Sequence, residues 1–105
     1  MNNREFNTAL ARLQPFLDDE GRLVQWPASR KVQKIALEYL ASHFDFGQEY
    51  PEKKFNAMLN HLHTFGDPAL LRRELFEGGY VNRRKNGSAY WRTKVKMVSK
   101  ERDEG

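Results

Sequence analysis

The apolar positions of this chain fall into blocks whose spacing is helical over most of its length and becomes alternating near the end. Phe6, Ala9, Leu10, Leu13 and Leu17 recur at helical spacing and predict an amphipathic first helix. Asn2 or Asn3 is placed to cap it, and Pro15, which lacks a backbone donor, should end or kink it near Leu13 or Gln14. Asp18-Asp19-Glu20-Gly21 is a turn signal. Arg22-Leu23-Val24-Gln25-Trp26-Pro27 then reads as an extended segment ending in a second turn. Trp26 has a stacking reading on nucleic acid and a packing reading at one end of a small core. Packing is the usual role of a large aromatic, and it is the expectation here.

Ser29 is placed to cap a second helix, with Val32, Ile35, Ala36, Tyr39, Leu40 and Phe44 as its inner stripe. Arg30, Lys31, Lys34 and Glu38 face outward, and Lys34 and Glu38 form a weak surface pair four residues apart. Phe46-Gly47 stops the helix, and Gln48-Glu49-Tyr50 is short and extended. Pro51 suits the first turn of a third helix carrying Phe55, Met58, Leu59 and Leu62 on one side. Thr64-Phe65-Gly66 is a glycine-containing turn of the kind that joins the helices of a helix-turn-helix unit. Asp67 caps a fourth helix with Pro68 at its first position. Leu71 and Leu75 form its buried side, Leu70 and Phe76 its flanks, and Gly78-Gly79 its end.

Tyr80 to Lys85 and Ser88 to Lys94 flank Asn86-Gly87, which predicts a β-hairpin with a type I′ turn and positive φ at both central residues. Such a turn pairs Lys85 with Ser88. Val81, Arg83 and Tyr90 then share one face, and Tyr80, Asn82, Arg84 and Trp91 the other. Both faces mix apolar and polar groups, so the inward face stays open. The tail from Val98 has no periodicity and is expected to fray, leaving residues 1–97 as one domain. The predicted fold is α+β and mostly α: a winged helix-turn-helix-like domain with three to four helices and a C-terminal β-hairpin.

Composition narrows the function classes. A chain of 105 residues suits a single core. It contains no cysteine, which excludes disulfides, thiol nucleophiles and thiolate zinc sites. No apolar run approaches the roughly 20 residues that span a bilayer, and the N-terminus does not read as a secretory signal. A cytoplasmic protein without membrane contact is expected.

Charge picks out one stretch. Asp67 to Lys94 holds seven Lys/Arg against three Asp/Glu, whereas the segments before and after it balance at eight and three of each sign. The whole net charge of +4 therefore sits on the last helix and hairpin, a candidate surface for phosphates. Arg72 and Arg73 lie on the helix, and Arg83, Arg84, Lys85, Arg92 and Lys94 on the hairpin. These seven are the candidate nucleic-acid-binding residues, with double-stranded DNA as the partner. If about five of them met phosphates, the logarithmic salt slope would be roughly −4 to −5.

Structural explanations compete with this reading. Arg73 and Glu77 point outward together and can neutralise one another, and Arg72 can pair with Glu38 or Glu52. The outward positions of the helix lack the Asn, Gln, Ser or Thr that usually read base edges. The hairpin is thus a better phosphate holder than the helix is a base reader.

His43, Asp45, His61 and His63 form the other chemical candidate. His61 and His63 diverge by about 200° on a helix, where zinc ligands need four-residue spacing. His43 suits half-buried packing. No nucleophile–base pair or phosphate loop is present, so neither an enzyme nor a cofactor or metal site is expected. The exposed hairpin aromatics Tyr80, Tyr90 and Trp91 support a separate reading, a homodimer or protein-partner surface.

Several of these residues carry a family resemblance. Gly21-Arg22-Leu23 with Trp26-Pro27, Phe44, Gly47, Tyr50 and Glu52, then Leu71-Arg72-Arg73-Glu74-Leu75, and Arg83, Gly87 and Tyr90-Trp91-Arg92 resemble the bacterial domain of unknown function 2087 over about residues 10 to 94. The family is similar to a winged helix and also occurs attached to helix-turn-helix regulators of the arsenic-repressor type. The resemblance therefore implies a transcription-related setting, in the stand-alone form. It carries no assigned activity, ligand or functional residue. Pro51 stands where the family often has a Thr or Ser helix cap.

Overall fold

A computed structural model describes residues 3–93. Lys94, the tail from Val98, the Asn2 cap and the side chain of Phe6 lie outside the described part. Helix α1 (Asn3–Leu13) runs into a 3₁₀ turn at Gln14–Phe16 that contains Pro15, as the missing proline donor requires. Leu17 then bridges to Leu23, and Leu23 also bridges to His63. The Leu23 amide donates to Leu62 O at 2.8 Å, so the Arg22–Trp26 segment is tied across the chain to the end of the third helix. Trp26 packs half-buried against the core.

Helix α2 (Arg30–Ala41) is capped by Ser29, whose hydroxyl accepts from the Val32 amide. The buried stripe is Ala36, Leu37, Leu40 and Ala41, with Val32, Ile35 and Tyr39 at its edge. It is rotated from the predicted stripe, bringing in Leu37 and Ala41 and half-burying Glu38. The physical reason is that α2 packs against α1 on one side and against the last helix on the other, so its apolar arc must be wider than one periodic line. The helix also ends at Ala41 rather than at Phe46-Gly47. The Ser42 hydroxyl donates to Tyr39 O at 2.6 Å, and the chain turns so that Phe44 enters the core off the helix. There Phe44 meets Tyr50 edge-on at 5.2 Å and Phe55 at 4.8 Å between ring centroids.

Strand β1 (Glu49–Pro51) leads directly into α3 (Glu52–Leu62). Pro51 is the residue before the helix rather than within its first turn, and it supplies no side-chain cap. Phe55 and Leu59 are buried, with Met58 and Leu62 packed beside them. Asp67 caps α4 (Pro68–Glu77) by accepting from the Leu70 amide at 3.1 Å, and Leu71 and Leu75 form its buried side.

Strands β2 (Val81–Arg83) and β3 (Ala89–Arg92) form the hairpin, and β1 adds to β3 to give an antiparallel sheet of order β1-β3-β2. Val81 pairs with Arg92 and Arg83 with Tyr90, the register that pairing Lys85 with Ser88 implies. The turn itself differs from expectation. Asn86 keeps negative φ, and among the residues between β2 and β3 positive φ is confined to Gly87 at 75°. The Gly87 amide donates to Arg84 O, and the Asn86 side chain accepts from the Ser88 amide, closing a local turn that makes a left-handed Asn unnecessary.

Val81 and Tyr90 are buried, so the face with Val81, Arg83 and Tyr90 is the inward one. The Tyr90 ring stacks on Phe55 at 4.5 Å with 4° between the planes, joining β3 to α3. Among the described residues, four helices and a small three-stranded antiparallel sheet make an α+β fold consistent with a winged-helix-like arrangement.

Candidate nucleic-acid interface

The candidate cations do not form one patch. Sheet alternation separates them first: Arg83 and Arg92 share the core side of the hairpin with Val81 and Tyr90, while Arg84 falls to the outer side with Asn82 and Trp91. Tertiary contacts separate them further.

Arg92 is half-buried. Its guanidinium carbon lies 3.9 Å from the Phe46 ring centroid, and Nη1 donates to Phe44 O at 3.3 Å. Burial lowers its pKa from the usual guanidinium value, and a guanidinium carries its charge throughout the physiological range. This arginine fastens β3 to the turn after α2. Arg84 reaches back across the sheet, where Nη2 lies 3.0 and 3.1 Å from the two carboxylate oxygens of Glu49 in β1. Lys85 is exposed in the hairpin loop.

The remaining cations converge. Arg72, Arg73 and Arg83 line a single cleft of about 370 Å³ between α4 and the hairpin, together with Phe76, Glu77 and Tyr90. Arg72 is half-buried and Nη1 donates to Asn56 Oδ1 at 2.7 Å, so a neutral amide on α3 holds it, rather than Glu38 or Glu52. A neutral acceptor positions the guanidinium without cancelling its charge. Arg73 is largely exposed, and its carboxylate neighbour is Glu74 at 3.9 Å rather than Glu77. At that distance and exposure the pair contributes little. The Arg83 guanidinium carbon sits 4.5 Å from the Phe76 ring centroid, on a phenylalanine that is itself 36% exposed. A smaller cleft of about 190 Å³ between α2 and α4 sets Arg30 and Lys34 among Glu74 and Glu77, so its charges balance.

The histidines separate as well. Among the described residues no group of three or more His, Cys, Asp or Glu side chains is placed to hold a metal ion. His63 is buried, with Nδ1 2.7 Å from Leu59 O while Nε2 accepts from the Asp67 amide at 2.9 Å. This arrangement defines a neutral Nδ1–H tautomer that ties the end of α3 to the cap of α4. His43 is exposed rather than half-buried, with its ring edge-on to Tyr39 at 4.9 Å. Of the hairpin aromatics, Tyr90 is buried, and Tyr80 and Trp91 are half-buried.

Sequence reasoning missed Asn56, Glu49, Phe46 and Phe76 as the residues that position the arginines. Only Phe76 carried a local signal, since it flanks the buried side of the helix that bears Arg72 and Arg73.

These features define an α+β domain whose last helix and hairpin enclose an arginine-lined cleft. The sequence profile of DUF2087, described as an uncharacterized protein conserved in bacteria, matches residues 22–92, and the chain belongs to that family. No curated protein and no solved structure matches the chain. Among the described residues no helix is long and apolar enough to cross a membrane.

Proposed function

We propose that this protein is a non-catalytic, cytoplasmic nucleic-acid-associated module of transcription-related setting, holding the phosphates of double-stranded DNA between α4 and the hairpin. The observation that carries this reading is the convergence of Arg72, Arg73 and Arg83 on one cleft, within the segment that holds all of the excess charge. The tertiary contacts sharpen it. Arg92 serves the core and Arg84 is engaged by Glu49, so the working cations are Arg72, Arg73, Arg83 and Lys85. Four phosphate contacts correspond to a logarithmic salt slope of about −3 to −4, shallower than the full set of candidates implies. Glu74 and Glu77 on α4, and its lack of outward amide or hydroxyl side chains, favour a grip without a base code.

Fluorescence anisotropy against a random duplex at low and moderate salt tests the reading. Salt-sensitive binding with that slope supports it, and no binding at low salt removes it. A dimerisation or protein-partner surface on the hairpin aromatics has less to draw on, because Tyr90 is buried and Tyr80 packs against the core.

A further inference from the structure

The α4–hairpin cleft combines features that a duplex backbone does not need. It is concave, its volume of about 370 Å³ is near the lower end of the range for small-ligand pockets, and it carries aromatic as well as cationic side chains. We infer that this cleft holds an unpaired nucleotide, with its phosphate on Arg72 and Arg73 and its base stacked on the outer face of the Arg83 guanidinium. The inference rests on the phosphate-holding reading above and specifies the form of nucleic acid that the cleft selects.

Arg83 supplies the stacking platform. Its guanidinium lies over the Phe76 ring, which uses one face of the cation. The residue is nevertheless exposed and lines the cleft. A guanidinium is planar, and unstacked bases pile on such planes as readily as on aromatic rings. Phe76 thus pre-orients the platform beneath the base. Arg72 lines the same cleft from α4, held by the neutral Asn56. A guanidinium has five N–H donors, and this bond uses one of them. Arg73 adds a second, exposed cation one residue along.

Glu77 explains the polarity of the site. It lines the same cleft beside Phe76, one turn after Arg73, and a negative charge at that end disfavours phosphate, which leaves the Arg72–Arg73 end for the anion and the Phe76–Arg83 end for the base. In a duplex both base faces are already stacked and the backbone is convex. A duplex can then use the cations but not the platform.

The test compares anisotropy of labelled oligothymidylate, an abasic single strand of the same length and a random duplex, at low salt. The expected order is oligothymidylate tightest, by about fivefold or more over the abasic strand, which is the low end of what stacking one base contributes. Arg83→Lys keeps the charge and removes the plane. It should lower oligothymidylate affinity severalfold and leave duplex and abasic affinities in place. Phe76→Leu, at an exposed position, should act in the same direction by loosening the platform. Duplex binding as tight as single-strand binding, or an Arg83→Lys variant with unchanged affinity for oligothymidylate, overturns the inference while the phosphate-holding reading stands. No retention of any of the three probes overturns both.

Discussion

Arg84 and Glu49 meet across the full width of the sheet: the guanidinium follows β2, the carboxylate lies in β1, and β3 runs between them. Both side chains are about half exposed, so the pair contributes at most about 1 kcal/mol to stability. Its larger consequence is electrostatic, since Glu49 occupies a hairpin cation that would otherwise be available to phosphate. Glu49→Gln should leave thermal stability nearly unchanged, raise nucleic-acid affinity severalfold at low salt, and steepen the logarithmic salt slope by about one. Anisotropy titrations at several salt concentrations measure both. An unchanged slope would show that Arg84 makes no phosphate contact.

Arg83 and Arg73 should report different things. Arg83→Ala should weaken binding to all duplex sequences alike, because its place between Phe76 and the cleft faces no fixed base edge. Arg73 is largely exposed on α4, and Arg73→Ala tests whether the helix reads sequence at all. Selection from a random duplex pool with each variant separates the two. A sequence preference unaltered in Arg73→Ala removes base reading from the helix.

His63 should matter for stability. It accepts from the Asp67 amide and bonds to Leu59 O while almost fully buried. His63→Ala leaves the part-buried Asp67 amide without its acceptor and opens a cavity, at a cost of about 2–4 kcal/mol. Urea denaturation should show the midpoint falling with the slope unchanged.

Gly21 is constrained from two sides. Its φ is +78°, and a Cβ there would stand 2.8 Å from the Tyr39 hydroxyl, which itself donates to Gly21 O at 2.7 Å. Gly21→Ala must strain the backbone and displace that hydroxyl, so a loss of about 1–3 kcal/mol is expected. Tyr39→Phe in the same background should recover part of it by removing the obstructing oxygen.

Asp18 sets a pH dependence. Its carboxylate accepts from the Arg22 and Glu20 amides and from Arg22 Nε. The Arg22 backbone bond is the main cause of a pKa held below the usual 3.8. A depressed carboxylate stabilises the fold above its unfolded pKa, and that contribution is lost as pH falls through the folded one. The Tm difference between wild type and Asp18→Asn should therefore be constant from neutral pH down to about pH 5 and shrink below about pH 4. A difference independent of pH would assign the effect to geometry instead of charge.

What the sequence determined by itself was most of what neighbours within a few residues govern, the type of the Asn86-Gly87 turn and the exact place of Pro51 excepted. The caps Ser29 and Asp67, the interruption at Pro15, the buried sides of α3 and α4, and the register of the hairpin all depend on local spacing and turn chemistry, and all stand as expected. The family was legible too, because its motifs lie within those elements. Tertiary structure decided where α2 stops, since Phe44 must leave the helix to join Tyr50 and Phe55. It also decided which hairpin face turns inward, since both faces mix polar and apolar groups until α3 supplies Phe55 beneath Tyr90. Above all it decided the state of the arginines. Arg84 finds its carboxylate 35 residues away and Arg92 its carbonyl 48 residues away. A count of charges along the chain treats those cations as equivalent to Arg83. Folding makes them different, because a guanidinium's availability depends on what else lies within a few ångströms of it.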